Sequence, residues 1–118
     1  MIYEDFMYSQ RLVTLTELQA SSGEPSLKAL RSRATAGILR YIRSQGSVQL
    51  FDHDLSIIRC QAARACKVPG ITWTRIEFAV RRVDQELDRL IVEKLNSGVS
   101  FAETKEAAKE LLRTALRY

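Results

Sequence analysis

The chain has little of what most often carries chemistry. Among 118 residues there is one histidine, His53, and there are two cysteines, Cys60 and Cys66. That supply cannot furnish the His/Cys ligand set of a zinc site, so no metal is expected. If both cysteines lie on one helix, six residues put their Cα atoms about 9 Å apart, too far for a disulfide. With no base beyond His53 to activate them, they read as small buried side chains. Asp52-His53-Asp54 reads as a helix cap beside an exposed histidine. Long apolar runs are also missing, so no segment is expected to span a bilayer. The opening M-I-Y-E-D-F has Glu4 and Asp5 where a secretory signal carries Lys or Arg, and a cytoplasmic protein is expected. No Gly-rich phosphate loop or catalytic signature occurs, so neither an enzyme nor a cofactor is expected.

What is present is charge, unevenly placed. The composition is ordinary for a globular chain, 46% apolar and 27% charged, with a net charge of +4. Residues 1–27 set one cation, Arg11, against four acids; residues 83–118 set six cations against seven acids. Residues 28–82 carry eleven cations against Asp52, Asp54 and Glu77, and nine of the eleven are arginine. A segment of +8 between flanks of −3 and −1 is the footprint of a polyanion-binding face. Arginine's planar fork suits phosphate and guanine.

The spacing of apolar residues predicts a mostly helical chain. Residues 2–20 are ambiguous: I-Y-E-D-F-M-Y can start a helix, while R-L-V-T-L alternates like a strand. Ser21-Ser22-Gly23-Glu24-Pro25 is a break. From Ser26, Leu27, Leu30, Ala34, Ile38, Tyr41 and Ile42 make one helical stripe, with Arg33, Arg40 and Arg43 opposite, up to Gly46. Residues 47–51 read either as a short strand or as a link. Asp52 or Asp54 then caps a helix with Leu55, Ile58, Ala62 and Ala65 inward and Arg59 and Arg64 elsewhere, until Pro69-Gly70. A long helix from Thr72 carries Ile76, Val80, Val83, Leu87, Leu90 and Ile91 on one stripe as far as Leu95. Ser100 and Glu103 form a capping box for a last helix, and Glu103, Glu106 and Glu110 with Lys105, Lys109 and Arg113 make its solvated face. The expected fold is all-α, 4–5 helices in a single domain over 1–118. An arm or helix spans 1–25, the core 26–96 and the C-terminal helix 100–118.

Gly70-Ile71-Thr72 followed by Ile76, Ala79, Val80, Arg82 and Val83 resembles the helix-turn-helix class of DNA-binding domains over about residues 55–87. The winged kind, in which a two-stranded wing follows the recognition helix, is included. The resemblance implies that Thr72, Trp73, Thr74, Arg75, Phe78 and Arg82 face base edges. It implies phosphate contacts for Arg33, Arg40, Arg43, Arg59, Arg64, Lys67 and Arg81. Trp73 also reads as a packing anchor, and Phe78, opposite the spine, as a second buried side together with Val92. A helix running on to Leu95 is about 35 Å long, more than a groove needs. Its acidic half, 84–95, or the 100–118 helix is therefore expected to form a homodimer. Duplex DNA is the expected partner and a small transcriptional regulator or phage or plasmid accessory factor the expected function. No membrane and no small-molecule ligand is expected. The other reading is a non-enzymatic adaptor or assembly subunit whose arginines meet an acidic protein.

Overall fold

The computed structural model describes residues 11–117. The I-Y-E-D-F-M-Y segment and Tyr118 lie outside the described residues. In chain order the elements are β1 (Leu12–Val13), α1 (Leu15–Ser22), α2 (Leu27–Thr35), β2 (Arg43–Gln45), β3 (Val48–Asp52), α3 (His53–Ala65), α4 (Trp73–Arg82), α5 (Asp84–Asn96) and α6 (Phe101–Leu116). The protein is mostly helical, as its periodicity predicts, with a three-stranded antiparallel sheet in the order β1-β3-β2. Among the described residues six helices stand where four or five were expected, because residues 15–22 form one and the long helix over 72–95 is two; a second long stripe, over 27–42, is also divided but gives a helix and a hairpin.

The first division is at Gly37. The stripe from Leu27 continues through Ile38 to Ile42, but α2 stops at Thr35 and Gly37 takes a left-handed φ of 86°. Gly37 N donates to Ala34 O at 3.1 Å and Ile38 N to Arg33 O at 3.0 Å. This pair of bonds is a Schellman cap, which closes the helix on an αL glycine. Ile38 and Leu39 still reach the interior, but from a bend beyond the helix. Beyond them Ile42 N donates to Leu50 O at 2.7 Å and begins a hairpin. Gln45 pairs with Val48 across Gly46-Ser47, and the positive φ of Gly46 comes first in that two-residue connection, as a type II′ turn requires. Gly46 thus turns a hairpin and does not end a helix. The expected strand at 47–51 is found at Val48–Asp52, and the alternating R-L-V-T-L segment supplies β1, with Leu12 opposite Asp52 and Val13 opposite Phe51.

The second division is at Val83, whose φ of −119° and ψ of 23° end α4 and start α5. The single helix expected over 72–95 is therefore two. The bend lets Ile76 and Val80 of α4 and Leu87 and Ile91 of α5 share one core with Ala108 and Leu112 of α6. The stripe expected along 72–95 is thus largely buried within the chain. A straight helix could not wrap α6 on both sides.

Helix α3 lies between two cores. Leu55, Ile58, Ala62 and Ala63 face the first, with Ile76, Leu87 and Leu112. Ile57 and Cys60 face the second, with Val13, Leu18, Leu30, Leu39 and Phe51. Side chains cap the helix starts where the sequence provides them. Ser26 Oγ accepts from Ala29 N at 3.1 Å, Asp52 Oδ1 from Leu55 N at 3.1 Å, Thr72 Oγ1 from Arg75 N at 3.2 Å and Ser100 Oγ from Glu103 N at 3.1 Å. Each bond satisfies a first-turn donor with no partner inside its helix. Thr14 and Glu17 form a complete capping box at α1, from the local pattern T-L-T-E.

Candidate nucleic-acid interface

Folding neutralises much of the basic middle segment by setting it against acids from both flanks. Arg59, expected on the surface, is 1% exposed. Its Nη1 lies 2.5 Å from Asp88 Oδ1 and its Nη2 2.7 Å from Asp84 Oδ1. Nε also donates to Ile38 O at 2.8 Å and Nη2 to Gly37 O at 3.2 Å. A phosphate cannot reach this guanidinium. Arg40 joins the same acids, at 2.8 Å from Asp84 Oδ2 and 3.6 Å from Asp88 Oδ2. The cluster is closed, two cations with two carboxylates.

Glu24 performs the same service at the α1–α2 turn. Its side chain is fully buried; Arg64 Nη1 donates to Oε2 at 2.8 Å, and Arg33 Nε stands 3.2 Å from Oε1. The second contact is an ion pair without hydrogen-bond alignment. Arg33 also lies over the Trp73 ring, 3.5 Å from its centroid, a cation–π contact. Arg33, Arg64 and Arg59 are thus internal counter-ions, which corrects their expected role at phosphates.

Two cations of α4 are also engaged within the chain. Arg82 Nη1 donates to Ala115 O at 2.8 Å and Arg75 Nη2 to Leu116 O at 3.2 Å. Both cations sit at the C-terminal end of α6, where the helix dipole and orphan carbonyls favour positive charge. Thr72 is spent on its cap. Trp73 is half-buried against the first core, in line with its reading as an anchor. Thr74 is exposed, and Phe78 is 58% exposed, so the expected second buried side is absent at that residue. Arg81 stands 5.9 Å from the Phe78 ring centroid. Between α3 and α4 run residues 66–72, longer than the three or four residues of a helix-turn-helix connection, and α4 packs chiefly on α6.

A different part of the chain leaves its cations outward. Residues 23–26 join α1 to α2 through Gly23, at φ 83°, and the Ser26 cap. Lys28, Arg31, Ser32 and Thr35 are all exposed on α2. Behind them comes the hairpin, with Arg43 and Gln45 exposed on β2. The side chains of Lys28, Arg31 and Arg43 make no ion pair or hydrogen bond among the described residues. The three acids of residues 11–52 are withdrawn: Glu24 and Asp52 are buried and Glu17 is bound in its capping box. Of these outward residues only Arg43 was selected from the sequence. Thr14-x-x-Glu17, the Gly23 break, the Ser26 cap and Gly46-Ser47 were the signals that could have found the rest. Lys67 is exposed at the far end of α3.

The remaining candidates are structural. Asp52 is buried and caps α3, and His53, half-buried where exposure was expected, lies 2.7 Å from Asp54 Oδ1. Among the described residues no group of His, Cys, Asp or Glu could hold a metal, and no helix is long and apolar enough to cross a membrane. Glu106–Lys109 at 2.8 Å and Glu110–Arg113 at 3.1 Å are surface pairs along α6, each worth little.

Both cysteines are buried and free. Burial, then the charge of Glu24, pushes the Cys60 thiol up to about 12, and burial also raises that of Cys66. Such thiols are poor nucleophiles. Because the folded Cys60 holds its proton above the ordinary thiol value of 9.0, stability is expected to fall as pH rises from about 9 towards 12. In that window the unfolded chain binds fewer protons. Urea midpoints between pH 8 and 11 measure this, and Cys60→Ala is expected to flatten the slope.

Comparison with protein families, curated proteins and solved structures found no match.

Proposed function

We propose that this is a small duplex-DNA-binding protein of regulatory or accessory type, reading DNA through α2 and the β2–β3 hairpin. The observation that carries the reading is an order of elements. Strand β1, helix α1, a short glycine turn and the capped helix α2 are followed, after residues 36–42, by a hairpin whose β3 returns to pair with β1. A two-stranded wing after a recognition helix defines the winged helix-turn-helix arrangement. Here the helix so followed is α2, not α4. In this reading Lys28, Arg31, Ser32 and Thr35 enter the major groove, the first turn behind Ser26 approaches phosphate, and Arg43 and Gln45 extend the contact along the backbone.

Three outward cations, Lys28, Arg31 and Arg43, give an expected log K against log salt slope of about −2.7. A labelled 30-base-pair duplex followed by fluorescence anisotropy is expected to bind roughly fortyfold more weakly at 200 mM than at 50 mM salt. The double variant Lys28→Ala/Arg31→Ala should lose about tenfold or more in affinity and flatten the slope by about two. Arg75→Ala/Arg82→Ala should lose far less. The opposite order returns the interface to α4, and no binding at low salt refutes the reading. The adaptor reading is favoured by one observation, the exposure of Phe78 beside Arg81. Absence of DNA binding with a defined oligomer in sedimentation, lost in Phe78→Ser, would support it.

A further inference from the structure

A groove of about 700 Å³ opens between α2, the hairpin and α5, within the size range of small-molecule sites. Its lining is mixed: Leu15, Ala34 and the exposed ring of Tyr41 offer apolar surface, with Leu39 and Phe51 nearly covered behind them, and the polar groups include Arg31 and Arg40. Gln85 and Asp88 of α5 close the third side.

The charge of this groove is set by which ions are already matched. Arg40 and Asp88 belong to the closed cluster with Arg59 and Asp84. The surplus is Arg31, exposed and with no side-chain ion pair or hydrogen bond among the described residues. One unmatched guanidinium beside apolar surface calls for a ligand with one planar anion and one apolar body. A carboxylate meets a guanidinium through two parallel hydrogen bonds, and an aromatic ring covers that surface. Inorganic phosphate would satisfy the cation and leave the apolar surface wet.

We propose that this groove is a binding site for a small aromatic carboxylate. The site stands on its own residues; only its coupling to DNA rests on the proposed function, because Arg31 belongs to both. Calorimetry on the full chain tests it with 2-naphthoate, the neutral 2-naphthylmethanol and inorganic phosphate. Naphthoate is expected to bind one to one with a Kd below about 1 mM, the alcohol about tenfold more weakly, and phosphate not measurably. Arg31→Gln, an exposed change, should lower naphthoate to the level of the alcohol and leave the alcohol unchanged. Thr35→Trp, on the groove's rim, should weaken both. Failure of naphthoate to bind, equal binding of phosphate, or indifference to Arg31→Gln overturns the site. If naphthoate binds as expected and DNA does not, the site stands and the DNA reading falls. Where both bind, saturating naphthoate is expected to weaken DNA binding several-fold, and unchanged DNA affinity overturns the shared use of Arg31.

Discussion

Arg59→Met is expected to cost about 3–5 kcal/mol, enough to unfold much of the population of a marginally stable domain. The side chain is 1% exposed and ties together the carboxylates of Asp84 and Asp88 and the carbonyls of Gly37, Ile38 and Asp84. Methionine fills most of the volume and answers none of them. Asp88, itself 1% exposed, would keep only Arg40 at 3.6 Å, and a buried carboxylate with so distant a partner is costly. Asp84→Asn should be milder, because the Asp84 side chain is 21% exposed and water can replace part of what is lost. The double variant Arg59→Met/Asp88→Leu should cost less than the sum of its singles, since removing both ends leaves no uncompensated charge. Urea denaturation of the parent, Arg59→Met, Asp88→Leu, Asp84→Asn and the double variant measures these differences. An Arg59→Met loss under about 1 kcal/mol would mean that the cluster is not buried as described.

Arg59 also shows why the sequence puts a buried cation on the surface. A one-sided stripe of Leu55, Ile58 and Ala62 assigns every other α3 position to solvent, Arg59 included. α3 is covered on both sides, and spacing along one helix carries no trace of a second core packing from residues 13–51. The charge map failed for a similar reason. A +8 segment is a sum along the chain, whereas Glu24, Asp84 and Asp88 arrive from the acidic flanks only when the chain folds. Caps and breaks fared better because they are local. Ser26, Asp52, Thr72 and Ser100 were each legible as helix starts, since a hydroxyl or carboxylate there has a backbone donor within three residues. Gly37 and Gly46 were harder to assign: both can stop a helix, and the stripe across Ile38, Tyr41 and Ile42 favoured the later one. The Schellman bonds of Gly37 decide otherwise, and with α2 ended there the next residues become a hairpin. The move of the candidate interface from α4 to α2 follows from that single glycine.

Glu24→Leu is expected to cost about 2–3 kcal/mol, less than Arg59→Met because one partner has an escape route. The Glu24 side chain is fully buried, but Arg64 is 38% exposed and can return to water, leaving Arg33 and the turn to bear the loss. That turn is otherwise well held: Gln19 Nε2 donates to Glu24 O at 3.1 Å, Glu24 N donates to Ser22 Oγ at 3.1 Å and Gln61 Nε2 donates to Ser21 O at 2.9 Å. Glu24→Gln keeps the shape and removes only the charge, so its cost should be smaller. It should also lower the Cys60 thiol from about 12, since the charge of Glu24 is the second cause of that rise. Burial is the first cause and stays, so the thiol remains above its ordinary value. The loss of stability above pH 9 should then begin as in the parent and run less far, which a denaturation series in pH reads directly. In the DNA reading the same residue fixes the angle between α1 and α2. Glu24→Gln should therefore weaken duplex binding severalfold while leaving Lys28, Arg31 and Arg43 chemically intact. Unchanged binding together with lost stability would assign Glu24 to folding alone.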